Sequence, residues 1–221
     1  MNQPIDIYNI VVLGAMNPRI HTPAWYRLAK LISEEEFNIS MLSPEVMTLP
    51  MGSQFRINEF MITCQLDRWE VQCHSLENLS RLRAIACKAF DELLPHTPVG
   101  AMGYNFIYQR ETAVSDIGRF LAKRLSHPSF NLGVVDPALG SMSITQVNGN
   151  RSLQVGLMAV PPEPASFLQV SNSYEHRFIS DPTSFQLFNL ADTLDKFYED
   201  DRKDAEQRLS SVLAAIEKAG V

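Results

Sequence analysis

A chain of 221 residues with 45% hydrophobic and 20% charged side chains has the composition of a packed globular protein, far from that of a disordered one. Its 19 basic residues against 25 acidic ones leave a net charge of −6, so no overall positive field draws a polyanion to the surface and nucleic acid is a poor default partner. Three cysteines are too few for a disulfide framework, and the N-terminal stretch has neither a basic leader nor an apolar run long enough to span a bilayer; both point to a soluble protein of the cytoplasm.

Residues 7–13, IYNIVVL, are a continuous β-branched run ending at Gly14, the pattern of a buried strand. In TPAWYRLAKLI, Thr22 can cap a helix and Pro23 suits its first position, while Ser33 to Glu36 matches a capping box for a second short helix or a bent continuation of the first. From Gln54 to Cys64 the residues alternate, with Phe60, Ile62 and Cys64 on one face. Trp69, Val71 and Cys73 repeat that alternation, so the two runs form an antiparallel hairpin about Leu66-Asp67.

Ser75 then starts an amphipathic helix with apolar positions 76, 79, 82, 86, 90 and 93, stopped by Pro95. Residues 99–110 predict a strand with Tyr104, Phe106 and Tyr108 on one face, followed by a helix through Ile117, Phe120, Leu121 and Leu125 that closes at His127-Pro128. A short strand at 132–135 precedes a hairpin turning on Asn148-Gly149, a type I′ dipeptide, which sets Ile144 opposite Leu153 and Met142 opposite Val155. Prolines 161, 162 and 164 form a rigid connector. Beyond them a long strand carries Leu168, Val170, Tyr174, His176 and Phe178 on one side, and a terminal helix starts near Asp181-Pro182.

The order strand, helix, several strands, helix occurs twice, which divides the chain into α+β halves at residues 1–96 and 97–221, similar in pattern or merged in one continuous domain. Hairpins dominate, so the expected fold is α+β, largely antiparallel sheet with helices packed on one face.

Chemistry is sparse. In the hairpin register Cys64 faces Trp69 while Cys73 lies opposite Phe60, roughly 14 Å away at ~3.3 Å per residue. A disulfide tolerates at most about 7 Å between Cα atoms, so the pair reads as core, and Cys87 as core-flanking. No metal site and no cofactor is expected, because no CxxC, HxxxH, GxGxxG, Walker, GxSxG or HExxH pattern occurs. His21, His96 and His127 stand near prolines in predicted turns and read as exposed; Asp91-Glu92 and Asp200-Asp201 read as solvated helix positions. The two basic groups, Arg81, Arg83 and Lys88, then Arg119, Lys123 and Arg124, read as solvated helix faces.

His176, on the apolar side of its strand, is the most unusual histidine. If a ligand site exists, it is expected in a cleft between the aromatic strand and the strand at 167–178, from Tyr104, Asn105, Arg110, Tyr174, His176 and Arg177. Leu209, Val212 and Ile216 form a helical seam that can pack on the body of the protein or on a second copy. The leading expectation is a non-enzymatic binding or accessory protein, an oligomeric assembly subunit whose partner is protein rather than membrane. A small-molecule sensor or enzyme using the cleft is the alternative, and nucleic-acid binding through the aromatic strand a weaker one.

Overall fold

A computed structural model of the chain describes residues 4–125, 140–160, 166–178 and 189–220. The architecture is α+β. The apolar run at residues 7–13 lies within β1 (Ile5–Gly14), a central strand flanked on one side by β5 (Arg68–Cys73) and on the other by β6 (Val99–Glu111). Between β1 and β5 come α1 (Pro23–Leu28), α2 (Glu34–Leu42) and the meander β2 (Met47–Leu49), β3 (Gly52–Ile57), β4 (Phe60–Gln65). α3 (Leu79–Cys87) leads to β6, followed by α4 (Ile117–Leu125), a second meander of β7 (Ser141–Asn148), β8 (Arg151–Val160) and β9 (Phe167–Arg177), and α5 (Leu190–Gly220). All strands join one antiparallel nine-stranded sheet in the order β2-β3-β4-β5-β1-β6-β9-β8-β7. Among the described residues no helix is long and apolar enough to cross a membrane.

Strand periodicity sorts the side chains into two layers. Tyr8, Ile10, Val12, Trp69, Val71, Tyr104, Phe106 and Tyr108 all fall on one face and are buried beneath the helices. Each such side chain contributes roughly 1.5–3 kcal/mol on leaving water. The other face carries Asn9, Glu70, Asn105 and Ser173, so β1, which reads as apolar throughout, has Asn9 where the polar face needs it. α5 lies across β6 and β9 and against α3. Its seam packs on its own chain: Leu209 and Ile216 are buried and Val212 is partly buried against the core.

Local chemistry explains most helix starts. Thr22 Oγ1 accepts from the Trp25 amide, and the capping box is complete, with Ser33 Oγ accepting from the Glu36 amide and Glu36 accepting from the Ser33 amide. Glu36 also takes the Arg81 guanidinium at 2.6 Å and the Asn58 amide at 2.9 Å, which ties α2 to α3 and to the β3–β4 turn.

The first helix starts at Pro23 as expected and stops at Leu28, because the chain turns through Lys30 at φ 56°. Three expectations need correction. The alternating run from Gln54 to Cys64 is two strands, β3 and β4, joined by a turn in which Asn58 adopts φ 49°. The α3 segment begins with a 3₁₀ turn at Leu76–Asn78 and ends in a π-helical turn at Lys88–Leu93. Those turns change the angular step per residue, so Leu76 and Leu93 rotate out to 49% and 37% exposure while Leu79, Leu82, Ala86 and Phe90 stay buried.

The β7–β8 hairpin is shifted by two residues: Ile144 faces Val155, Met142 faces Leu157, and the loop is Gly149-Asn150. Gly149 at φ 60° occupies the first loop position, the demand of a type II′ turn. An even shift leaves every side chain on its expected face. The expectations at 132–135, 161–164, His127-Pro128 and Asp181-Pro182 lie outside the described residues.

Candidate functional site

The six residues expected to share a cleft are divided by the sheet. β6 and β9 are hydrogen-bonded neighbours, with Tyr104 opposite Tyr174, Met102 opposite His176 and Asn105 opposite Ser173, so no cleft separates them. Tyr104, Tyr174 and His176 face the helices and are buried. Asn105 is on the opposite face, where its side chain donates to Asn9 Oδ1 at 2.5 Å and Asn9 in turn donates to Glu70 at 2.6 Å. Arg177 pairs with Glu175 on the same strand, and Arg110 pairs with Asp6 near the strand end, both at 2.5 Å. The aromatic strand offers no stacking surface, because Tyr104, Phe106 and Tyr108 are at most 1% exposed.

The three buried members converge on Asp201, which is buried rather than on the solvated helix face expected for Asp200-Asp201. Asp201 of α5 is 6% exposed and accepts from Tyr104 Oη at 2.5 Å and from the Arg151 guanidinium. Since the Tyr104 hydroxyl donates to that carboxylate, its oxygen accepts from His176 Nε2 at 3.2 Å, which places the proton of a neutral imidazole on Nε2. Burial, and then the Arg151 charge, push the His176 pKa down to about 4 against the opposing pull of Asp201. Tyr174 Oη donates to the Asp201 carbonyl at 3.1 Å and accepts from Arg208 at 2.7 Å. Burial and the bond to Asp201 push the Tyr104 phenol far above its ordinary range.

This network has the residue types of a general acid–base site but none of the access: Tyr104, Asp201 and His176 are each at most 6% exposed. What it does physically is hold α5 on the sheet through charged and hydrogen-bonded contacts. It was legible in part, since Leu194, Tyr198, Asp201, Ala205, Leu209 and Ile216 follow helical spacing, which puts a carboxylate on a buried stripe.

A second buried histidine was missed. His21 is 2% exposed, ringed by Trp25, Tyr26, Trp69 and Phe90 at centroid distances of 5.6–6.2 Å. Trp69 Nε1 donates to Tyr26 Oη at 2.9 Å, and that hydroxyl lies 3.1 Å from His21 Nδ1. Burial pushes the His21 pKa down to about 4. Nothing in RIHTPAW signals this, because the aromatic enclosure is assembled from α1, β5 and the segment after α3.

The cysteines stand as expected. Cys64 faces Trp69, both Cys64 and Cys73 are fully buried, all three thiols are free, and burial pushes Cys64 up to about 12 and Cys87 up to about 11. Among the described residues no group of three or more His, Cys, Asp and Glu could hold a metal ion. Within the basic groups, Arg81 pairs with Glu36, Arg83 with Asp195 and Arg124 with the Ala219 carbonyl.

Exposed apolar side chains concentrate in one stretch of the chain, whose elements pack on one another, α1 on α2, α2 on β3 and β3 on β2. Of thirteen large hydrophobic residues exposed among the described residues, seven lie between Leu28 and Met51, on α1, α2, β2 and the turn after it. Leu42 is 86% exposed and lines, with Ile39, a depression of about 290 Å³ bounded by Arg56 and Asn58. No family model and no curated protein matches the chain.

Proposed function

We propose that the protein is a non-enzymatic binding subunit that self-associates through the apolar corner at the β2 end of the sheet. The concentration of exposed Leu, Ile and Met side chains between Leu28 and Met51 carries this reading, since apolar side chains scattered singly need no partner but a cluster is costly to leave in water. Three of them, Met41, Met47 and Met51, are flexible enough to conform to an apposed surface. The nearby carboxylates Glu34, Glu36 and Glu45 are already paired with Arg27, Arg81 and Arg56, and the exposed Lys30 and Glu35 are of opposite sign, so the corner has little net charge, which suits an isologous contact with its own copy. Three free cysteines suit a reducing compartment, the cytoplasm.

Light scattering over a range of protein concentrations tests the proposal. The wild type is expected to give a mass that rises above the 24.9 kDa of one chain, and the double variant Leu42→Glu/Met51→Glu to return to the single-chain mass with an unchanged melting temperature. A strict monomer at the highest concentration would sink it.

A further inference from the structure

At one end of the sheet the loop after β1 meets the loop before β6. The Ala15 amide donates to the Pro98 carbonyl at 2.9 Å, and a Cβ at Gly14 would collide with that same oxygen, so the backbones are held as close as a glycine permits. Beside this contact lies a cavity of about 290 Å³, near the small end of the roughly 300–1,000 Å³ usual for ligand sites. Met16, Ile20, Leu93 and Leu94 supply its apolar wall. Asn17, His21, His96 and Thr97 supply its polar groups, and no Arg, Lys, Asp or Glu lines it.

Hydrogen bonding points to one state of His21. Trp69 Nε1 can only donate, so Tyr26 Oη accepts from it, and the proton of this fully buried phenol finds its partner in His21 Nδ1, the arrangement that satisfies both groups. With Nδ1 accepting, the ring proton of the neutral imidazole is on Nε2. We infer that this cavity binds a small uncharged molecule with an apolar body and one hydrogen-bond acceptor, which takes the Nε2–H of His21.

The lining selects that class. An anion would meet no cationic side chain, and a cation no carboxylate. The aromatic enclosure keeps His21 uncharged well below neutral pH, so the imidazole serves as a fixed donor there. Trp25 and Phe90 brace the ring at 5.6 and 6.0 Å, which limits the reorientation needed on binding. None of this involves the apolar corner near β2, and either can fail without the other.

The test follows the His21 ring nitrogens by long-range ¹H–¹⁵N spectra while cyclohexanone, cyclohexanecarboxylate and cyclohexylammonium are added in turn. Cyclohexanone alone is expected to shift Nε2 saturably and leave Nδ1 nearly in place. Ala15→Trp, which fills the mouth from an exposed position, is expected to weaken that binding at least tenfold with no change in melting temperature. An absent or non-saturable shift, an equal response to either charged analogue, or unaltered affinity in Ala15→Trp would each overturn the inference.

Discussion

His21 and His176 lie beneath the same helical layer, on opposite sides of the β1–β6 pair, and both have pKa values pushed down to about 4. Around His21 the work is done by uncharged groups: four aromatic rings exclude water, and a Trp69–Tyr26–His21 chain sets the tautomer. Around His176 burial is assisted by a cation, Arg151, and opposed by a carboxylate, Asp201, with Tyr104 bridging the ring to the acid. The same protonation state is thus reached by an apolar route and by a balance of charges. The apolar route lines a cavity and depends on α1, β5 and the turn after α3 closing around the ring, whereas the balanced one works only while α5 is docked.

The contrast can be broken at its strongest point first. Asp201→Ala removes the acceptor for both Arg151 and Tyr104 and is expected to cost about 3 kcal/mol, the low end for a broken buried pair because Arg151 keeps 33% of its side chain exposed. Urea denaturation measures it, and a loss below about 1 kcal/mol would mean that the network does not hold α5. Tyr26→Phe strands the Trp69 N–H and a His21 nitrogen in a dry site, at an expected cost of about 2 kcal/mol. Added salt should alter the stability of the Tyr26 variant no more than that of wild type, since no charge is involved.

Acid sharpens the comparison. Each histidine has a folded pKa near 4 and an unfolded one near 6.5, so between those values the unfolded chain binds more protons. Stability is full above about pH 6.5 and falls progressively toward pH 4. His176→Gln is expected to remove about half of that slope and leave the remainder to His21. An unchanged acid profile in the variant would show that His176 is not held neutral. The smallest expected effect is in thiol labelling: Cys64 and Cys73 should alkylate slowly, and half-buried Cys87 faster.

The stretch from Cys64 to Cys73 shows how much could be read in advance. Alternation sorted the faces and the two-residue turn at Leu66-Asp67 set the register, which together give the observed Cys64–Trp69 pairing. At the second hairpin the faces were readable but the register was not, because Asn148-Gly149 and Gly149-Asn150 both make two-residue turns and the apolar pattern survives a two-residue slip. Asp91 shows a different limit. Its carboxylate accepts the amides of Leu190 and Ala191 at 2.8 and 2.9 Å and caps α5 from almost a hundred residues away, a contact no local signal encodes.

The expected site residues divide along the same line. Tyr104, Tyr174 and His176 were placed on one face correctly because strand periodicity is local, but grouping them with Asn105 and Arg177 ignored the opposite facing of odd and even positions on paired strands. By itself the sequence determined the type of the longer elements, the α+β class and the burial of the cysteines, since these depend on periods of 2 and 3.6 residues acting within one segment, whereas the short strand β2 and the 3₁₀ and π-helical turns about α3 carry no such period. Only the tertiary structure decided that β1 and β6 pair at the centre of one sheet, that Asp201 meets Tyr104 and Arg151, and that aromatic rings from three segments close on His21. Those contacts join residues far apart in the chain, and what selects them is the burial and pairing of whole faces, which no single segment carries.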